Sequence, residues 1–125
     1  MASWVLRIAV SGEFIGHGVF ALQGKQAWIG WIQQLTGASP ETAASLLYAV
    51  GVGDIALGII VLFFPIPFLL FWMAVWGFWT ALVRPLVGEP IWDFVERWAN
   101  CGAPLALLLL YGFPKTVSDW FKRVK

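Results

Sequence analysis

Polar and ionisable side chains lie inside segments of this chain that are otherwise apolar enough to span a membrane. A charge in hydrocarbon costs about 2.5–3.5 kcal/mol or more, so such a residue usually has a partner or faces a cavity. We therefore expect a polar pocket inside a small helical bundle. Its candidate residues are Glu13, His17, Asp54, Arg84, Glu96, Arg97 and Asn100.

The spacing of these residues predicts how they are arranged. Glu13 and His17 are four residues apart, which places them on one face of a helix. Asp93 begins a stripe of the same kind at i, i+3, i+4 and i+7 in the last apolar stretch. At about 1.5 Å of rise per residue, most of the set falls in the outer half of the membrane, and Asp54 lies deeper, near the midplane. We expect acids and bases at the same depth to pair, which lowers the cost of burial.

Simpler interpretations apply to each member of the set. Arg84, Asp93 and Glu96 are close enough to the ends of their segments to lie among lipid headgroups. Arg97 is equally explained as one half of a structural ion pair with Glu96 or with Glu13. His17 is equally explained as a hydrogen-bonded residue that packs between helices. A lone histidine with scattered carboxylates is a weak ligand set, so no metal site is predicted.

The composition is that of an integral membrane protein. Hydrophobic residues make up 60% of the 125 residues and charged residues only 12%, with nine Trp and ten Phe. A net charge of +1 without a basic run gives no indication of a nucleic-acid partner. Cys101 is the only cysteine, so the chain has neither an intrachain disulfide nor a dithiol motif.

We predict an all-α membrane protein: a single four-transmembrane-helix bundle with short interfacial segments. Gly12 and Gly16 form a GxxxG pair, a pattern that lets helix backbones approach closely. Four spans place both termini on one side of the membrane, and Lys and Arg are most abundant on that side. By the positive-inside rule, both termini are therefore expected in the cytoplasm. The spans are approximately 4–22, 40–64, 68–84 and 91–113, with Pro104 as a kink or local break in the last; interfacial segments are expected at 23–34 and in the tail, 115–125.

Three stretches of sequence carry a resemblance to a known family. They are the glycine-rich run 12–18 around Glu13 and His17, the run 95–100 that opens the fourth helix, and its continuation 102–107. With these motifs the chain resembles the DoxX-like family of small four-span membrane proteins over nearly its whole length. The resemblance implies a bacterial or archaeal inner-membrane protein near quinone chemistry. A redox role would then need a partner subunit or a bound quinone.

Three functions from different classes remain open at this point. The first is a subunit of a membrane redox complex that binds a quinone or a lipid in the polar pocket, with no covalently held cofactor. The second is a purely structural accessory subunit whose buried charges fix the helix contacts. The third is a small proton-coupled transporter that works as a homo-oligomer, with Glu13 exchanging protons. The bilayer is a partner in every case, and other membrane subunits are expected for the first two.

Overall fold

The computed structural model describes residues 2–123, and all regular secondary structure in that range is helical. Three of the helices are long and apolar enough to cross a membrane, namely α1, α3 and α4, and they indicate a membrane protein. The all-α prediction is therefore confirmed. The elements in chain order are α1 (Ala2–Leu22), α2 (Gln26–Thr36), α3 (Pro40–Phe63), α4 (Pro67–Leu86), α5 (Ile91–Val95), α6 (Ala99–Tyr111) and a 3-10 helix (Ser118–Phe121).

Local sequence signals set the bounds of α3. The hydroxyl of Ser39 accepts a hydrogen bond of 3.2 Å from the backbone N–H of Thr42, and Pro40 occupies the first helical position. Pro65 and Pro67 follow the other end, where each proline removes a backbone donor. The predicted second span therefore matches the helix to within one residue.

The fourth predicted span is not one continuous helix. The short helix α5 is separated from α6 by residues 96–98, which turn through i→i+3 backbone bonds such as Arg97 N–H to the Phe94 carbonyl at 3.1 Å. The break therefore lies at 96–98, while Pro104, the predicted site of a break, lies inside α6. The 13 residues of α6 rise about 20 Å, less than the roughly 30 Å of a bilayer core.

Pro104 and Gly77 explain how α6 approaches α4. Proline at position i leaves the carbonyl of residue i−4 without its helical donor, and here that carbonyl belongs to Asn100. The same carbonyl lies so close to Gly77 that a methyl group on the glycine would collide with it. The contact therefore requires glycine at this position, near the middle of α4.

The bundle consists of α1, α3, α4 and α6, and α1 lies between α3 and α6. α4 contacts α6 extensively but touches α3 only slightly, although the two are joined by a short turn. α1 and α3 approach through Gly18 and Gly51, where a Cβ added to Gly51 would stand 2.9 Å from the Gly18 carbonyl. Gly12 and Gly16 of the predicted GxxxG pair have open space around them, so this pair does not make the α1–α3 contact.

The two segments predicted to lie at the interface are both short helices. α2 lies against α3 and is bounded by Gly24 and Gly37, whose φ angles of +71° and +74° suit glycine. The tail forms the 3-10 helix, and Phe121 stacks on Phe68 at the start of α4 with ring centroids 5.4 Å apart. Residues 124 and 125 of the predicted tail lie outside the described residues.

Candidate functional site

The middle of the bundle holds a small polar chamber. Glu13 and His17 reach it from α1, Asp54 from α3 and Asn100 from α6. Trp76 and Thr80 complete it from α4. Asp54 and Asn100 are buried, with 6% and 8% of their surface exposed. We call this set of six side chains the polar chamber.

Four of the predicted site residues therefore meet in one place. The structure brings Asp54 to the same level as Glu13 and His17, although the sequence placed it deeper than they are. The antiparallel register explains this difference, because Gly51 faces Gly18 and thereby carries Asp54 alongside the middle of α1.

A larger cavity, which we call the cleft, lies between α3 and α4 where these helices barely touch. Its volume is about 410 Å³, within the range of about 300–1,000 Å³ that is usual for small-molecule pockets. Its inner end is shared with the polar chamber through His17, Asp54, Trp76 and Thr80. Most other side chains along the cleft are apolar: Trp28, Trp31, Ile32, Leu35, Leu46, Leu47, Ala49, Val50, Trp79 and Val83.

One edge of the cleft is open to its surroundings. Leu35, Leu46 and Trp79 all line it, and 40%, 45% and 42% of their respective surfaces are exposed. Large exposed apolar side chains at membrane-spanning helices are suited to contact with lipid tails. The cleft therefore joins a polar inner end to an apolar opening.

α2 lies over the cleft and is held there by two aromatic contacts. Trp28 stacks on His17 with ring centroids 5.7 Å apart and planes inclined by 23°. The guanidinium of Arg84 lies 5.1 Å from the centre of the Trp31 ring, and its Nη1 donates to the Thr80 carbonyl at 2.6 Å. Arg84 is thus buried (4% exposed) as a wall of the cleft and lies outside the chamber.

The expected pairing of buried acids and bases is not found in residues 2–123. Glu96 and Arg97 form an ion pair with 3.8 Å between Oε1 and Nε, but they are sequence neighbours with side chains 65% and 35% exposed. Glu13, Asp54 and Arg84 make no salt bridge in this part of the chain. Neither Glu96 nor Arg97 lines the chamber or the cleft.

Trp76 and Thr80 are site residues that the sequence analysis did not identify. Both line the chamber and the cleft beside Asp54 and His17. A signal was available, since Trp76, Thr80 and Arg84 repeat every four residues and so share one face of α4. This four-residue repeat is hard to recognise in the sequence because α4 contains many other Trp and Phe residues.

Arg7 is a second residue whose surroundings the sequence did not reveal. Only 5% of its surface is exposed, its Nη2 donates to the Tyr111 hydroxyl at 2.5 Å, and its guanidinium lies 4.2 Å from the centre of the Trp4 ring. It therefore joins the beginning of α1 to the end of α6, far along the helices from the polar chamber.

Neither the arrangement of possible metal ligands nor comparison with known proteins identifies a function for the chamber or the cleft. Within the described range, no three His, Cys, Asp or Glu side chains come together in a group that could hold a metal ion. Comparisons of the chain with protein-family models, curated proteins and solved structures give no match. The resemblance to the DoxX-like family stays a prediction.

Proposed function

We propose that the protein binds an isoprenoid quinone, or a lipid of similar shape, in the cleft between α3 and α4. The proposal rests on the lining of the cleft, which combines an apolar, partly open edge with a polar inner end formed by His17, Asp54 and Thr80. An amphiphile with a compact polar head and a long apolar tail matches this division. Such a molecule reaches the cleft directly from the bilayer.

The side chains at the inner end suit a quinone head. A quinone carbonyl oxygen needs a hydrogen-bond donor, which the N–H of His17 or of the Trp76 indole supplies, whereas the Thr80 hydroxyl donates to the Gly77 carbonyl at 3.0 Å. Its flat ring suits the indole faces that line the cleft, since aromatic rings stack favourably at about 4.5–7 Å between centroids. Asp54 adds a group able to hold or release a proton beside the head.

The proposal includes a fourth crossing of the membrane by α5 and α6 together. Broken helices at membrane depth are tolerated where the irregular backbone is buried in protein or lines a cavity. The break at residues 96–98 lies two residues before Asn100 of the polar chamber, but residues 96–98 themselves line neither the chamber nor the cleft. In this arrangement both termini are cytoplasmic in a bacterial or archaeal inner membrane, as the charge distribution favours.

The resemblance to the DoxX-like family supports a place for this quinone site in a membrane redox complex. We propose that a partner subunit exchanges electrons with the bound quinone, while this chain supplies the binding site and the groups that handle protons. The wide apolar surface of α3, including Tyr48, Val52 and Ile59 at 59%, 49% and 48% exposure, leaves room for contact with lipid or with such a subunit.

Fluorescence titration tests the proposed binding. Trp28, Trp31, Trp76 and Trp79 line the cleft, so a short-chain quinone bound there quenches their emission. We expect saturable quenching at one quinone per chain in detergent. Val50→Phe, which fills the cleft, should weaken binding about tenfold or more, equivalent to about 1.4 kcal/mol.

Val52→Phe is the matched control, because Val52 lies on the same helix but does not line the cleft. It should bind quinone like the unaltered protein. Quenching that never saturates, or that is the same in both variants, would mean that quinone merely partitions into the micelle. That result would favour the purely structural accessory subunit.

A further inference from the structure

Two of the residues that line the chamber each carry a side-chain atom that is sealed from solvent and has no hydrogen-bond partner in residues 2–123. These atoms are Oε1 of Glu13, which comes from α1, and Nδ2 of Asn100, which comes from α6. One is an acceptor or a protonated oxygen, and the other is a donor. Both residues line the same small chamber.

Leaving such atoms unpaired is expensive. A buried polar group without a hydrogen bond has lost its hydration and gained nothing in return, so nearly all such groups in native proteins have a protein or water partner. The chamber is small: the region open to the centre of a water molecule measures about 10 Å³, close to the minimum of about 10–15 Å³ that a single water needs. The chamber therefore has room for one water but not for a larger ligand.

We propose that the polar chamber is a binding site for one internal water molecule that bridges Glu13 and Asn100. The water oxygen accepts a hydrogen bond from Asn100 Nδ2, and one water hydrogen is donated to Glu13 Oε1. Its second hydrogen is directed to the carboxylate of Asp54 or to His17, which line the same chamber. Buried waters typically make about three such bonds.

The bridge has a consequence for the cleft. Asp54 and His17 line both cavities, whereas Glu13 and Asn100 line only the chamber. The water therefore connects Glu13 to the polar end of the cleft through hydrogen bonds along which a proton can pass. This role as a proton path rests on the proposed quinone site, but the water site itself does not.

The backbone around the chamber explains why the space exists. The Asn100 carbonyl rests on Gly77, which fixes where the Asn100 side chain leaves α6. Gly77 itself has no side chain to fill the chamber that it lines. A site of these dimensions thus follows from the same glycine that lets α6 approach α4.

A structure at a resolution that shows ordered water is the direct test. The expected result is one density peak at hydrogen-bond distance, about 2.7–3.2 Å, from both Glu13 Oε1 and Asn100 Nδ2. A direct hydrogen bond between the two side chains, or a chamber closed around them without such a peak, would overturn the proposal.

A double-mutant cycle in detergent keeps the proposal testable at lower resolution. Either single substitution removes one partner of the bridging water and leaves the remaining polar side chain buried with an incomplete set of hydrogen bonds. Glu13→Leu and Asn100→Leu together should therefore lower Tm by less than the sum of their separate effects. Glu13→Leu with Tyr111→Phe is the control, since Tyr111 bonds Arg7 outside the chamber, and its two effects should add. Additive losses in both cycles would contradict a bridging water whether or not quinone binds.

Discussion

Gly77 determines how close two membrane helices can come. The Asn100 carbonyl occupies the position that a side chain at residue 77 would take, whereas Gly102 on α6 has nothing within 4 Å of an added Cβ. The two glycines therefore have opposite structural roles even though both lie in helices. Only the first is required by a contact.

We predict that Gly77→Ala destabilises the protein by about 1–3 kcal/mol, because the new methyl group forces α6 away from α4. Thermal unfolding in detergent measures this as a lower Tm. Gly102→Ala is the control and should leave Tm unchanged or raise it, since alanine favours helix over glycine. Equal effects of the two substitutions would contradict the close α4–α6 contact.

Arg7 is the clearest case of a buried charge that is held by neutral groups. Its guanidinium combines the hydrogen bond to Tyr111 with the face of Trp4, a favourable cation–π arrangement. The bond to Tyr111 joins residues that are far apart in the chain, so it ties the beginning of α1 to the end of α6.

Tyr111→Phe should therefore cost about 1.5–3 kcal/mol of stability, the usual contribution of a hydrogen bond to a charged group. Chemical or thermal unfolding in detergent gives the value. Tyr48→Phe is its control, because Tyr48 is 59% exposed on α3 and makes no side-chain hydrogen bond in the described part of the chain. A loss no larger than that of Tyr48→Phe would show that the Arg7–Tyr111 bond contributes nothing measurable.

At the scale of elements, α2 is the part of the fold best placed to move. None of its residues is fully buried, glycines with positive φ bound it at both ends, and it covers the cleft through Trp28 and Trp31. Segments with few buried contacts open at low free-energy cost. We therefore expect α2 to open more readily than the membrane-spanning helices α1, α3 and α4.

We predict that Trp31→Ala loosens α2, because it removes the ring against which Arg84 is placed. Hydrogen exchange followed by mass spectrometry should show faster exchange of the amides of 26–36, with little change in α1. Trp92→Ala is a suitable control, since Trp92 is 72% exposed in α5 and lies outside the cleft. Unchanged exchange in α2 would mean that the Trp31–Arg84 contact does not hold the helix.

The sequence predicts those features of the helices that depend on neighbouring residues. It does not predict those that depend on contacts between helices far apart in the chain. Local signals such as Ser39 and Pro40 gave the start of α3 correctly, because a cap and a proline act on the nearest turn. The break at 96–98 had no comparable signal, since it accompanies a contact between Asn100 and Gly77 in another helix. Helical spacing likewise grouped Glu13 with His17, while the meeting of Asp54 with them depended on the register between α1 and α3.

In the molecule as a whole, some pairs of helices are in close contact and one pair, α3 and α4, is separated. α1 approaches α3 closely through Gly18 and Gly51, and α4 approaches α6 closely through Gly77, whereas α3 and α4 separate to leave the cleft. The number of membrane crossings decides on which side of the membrane the chain after α6 lies. Three crossings would place the segments before α5 and after α6 on the same side.

A cysteine-labelling experiment tests the proposed four crossings. In a Cys101→Ser background, Glu89→Cys and Lys115→Cys introduce single exposed thiols before α5 and after α6. With a membrane-impermeant maleimide applied to intact spheroplasts, Glu89→Cys should label and Lys115→Cys should label only after lysis. Labelling of both thiols in intact spheroplasts would contradict a fourth crossing by α5 and α6.

We propose that the cleft holds a quinone-like amphiphile, and native mass spectrometry of protein released gently from its own membrane is the direct test of this claim. We predict a mass increment of one isoprenoid quinone or similarly shaped lipid per chain, lost in Val50→Trp, which fills the cleft, and kept in Val52→Trp, which faces outward on the same helix. A bare unaltered chain, or an increment that survives equally in Val50→Trp, would contradict the claim.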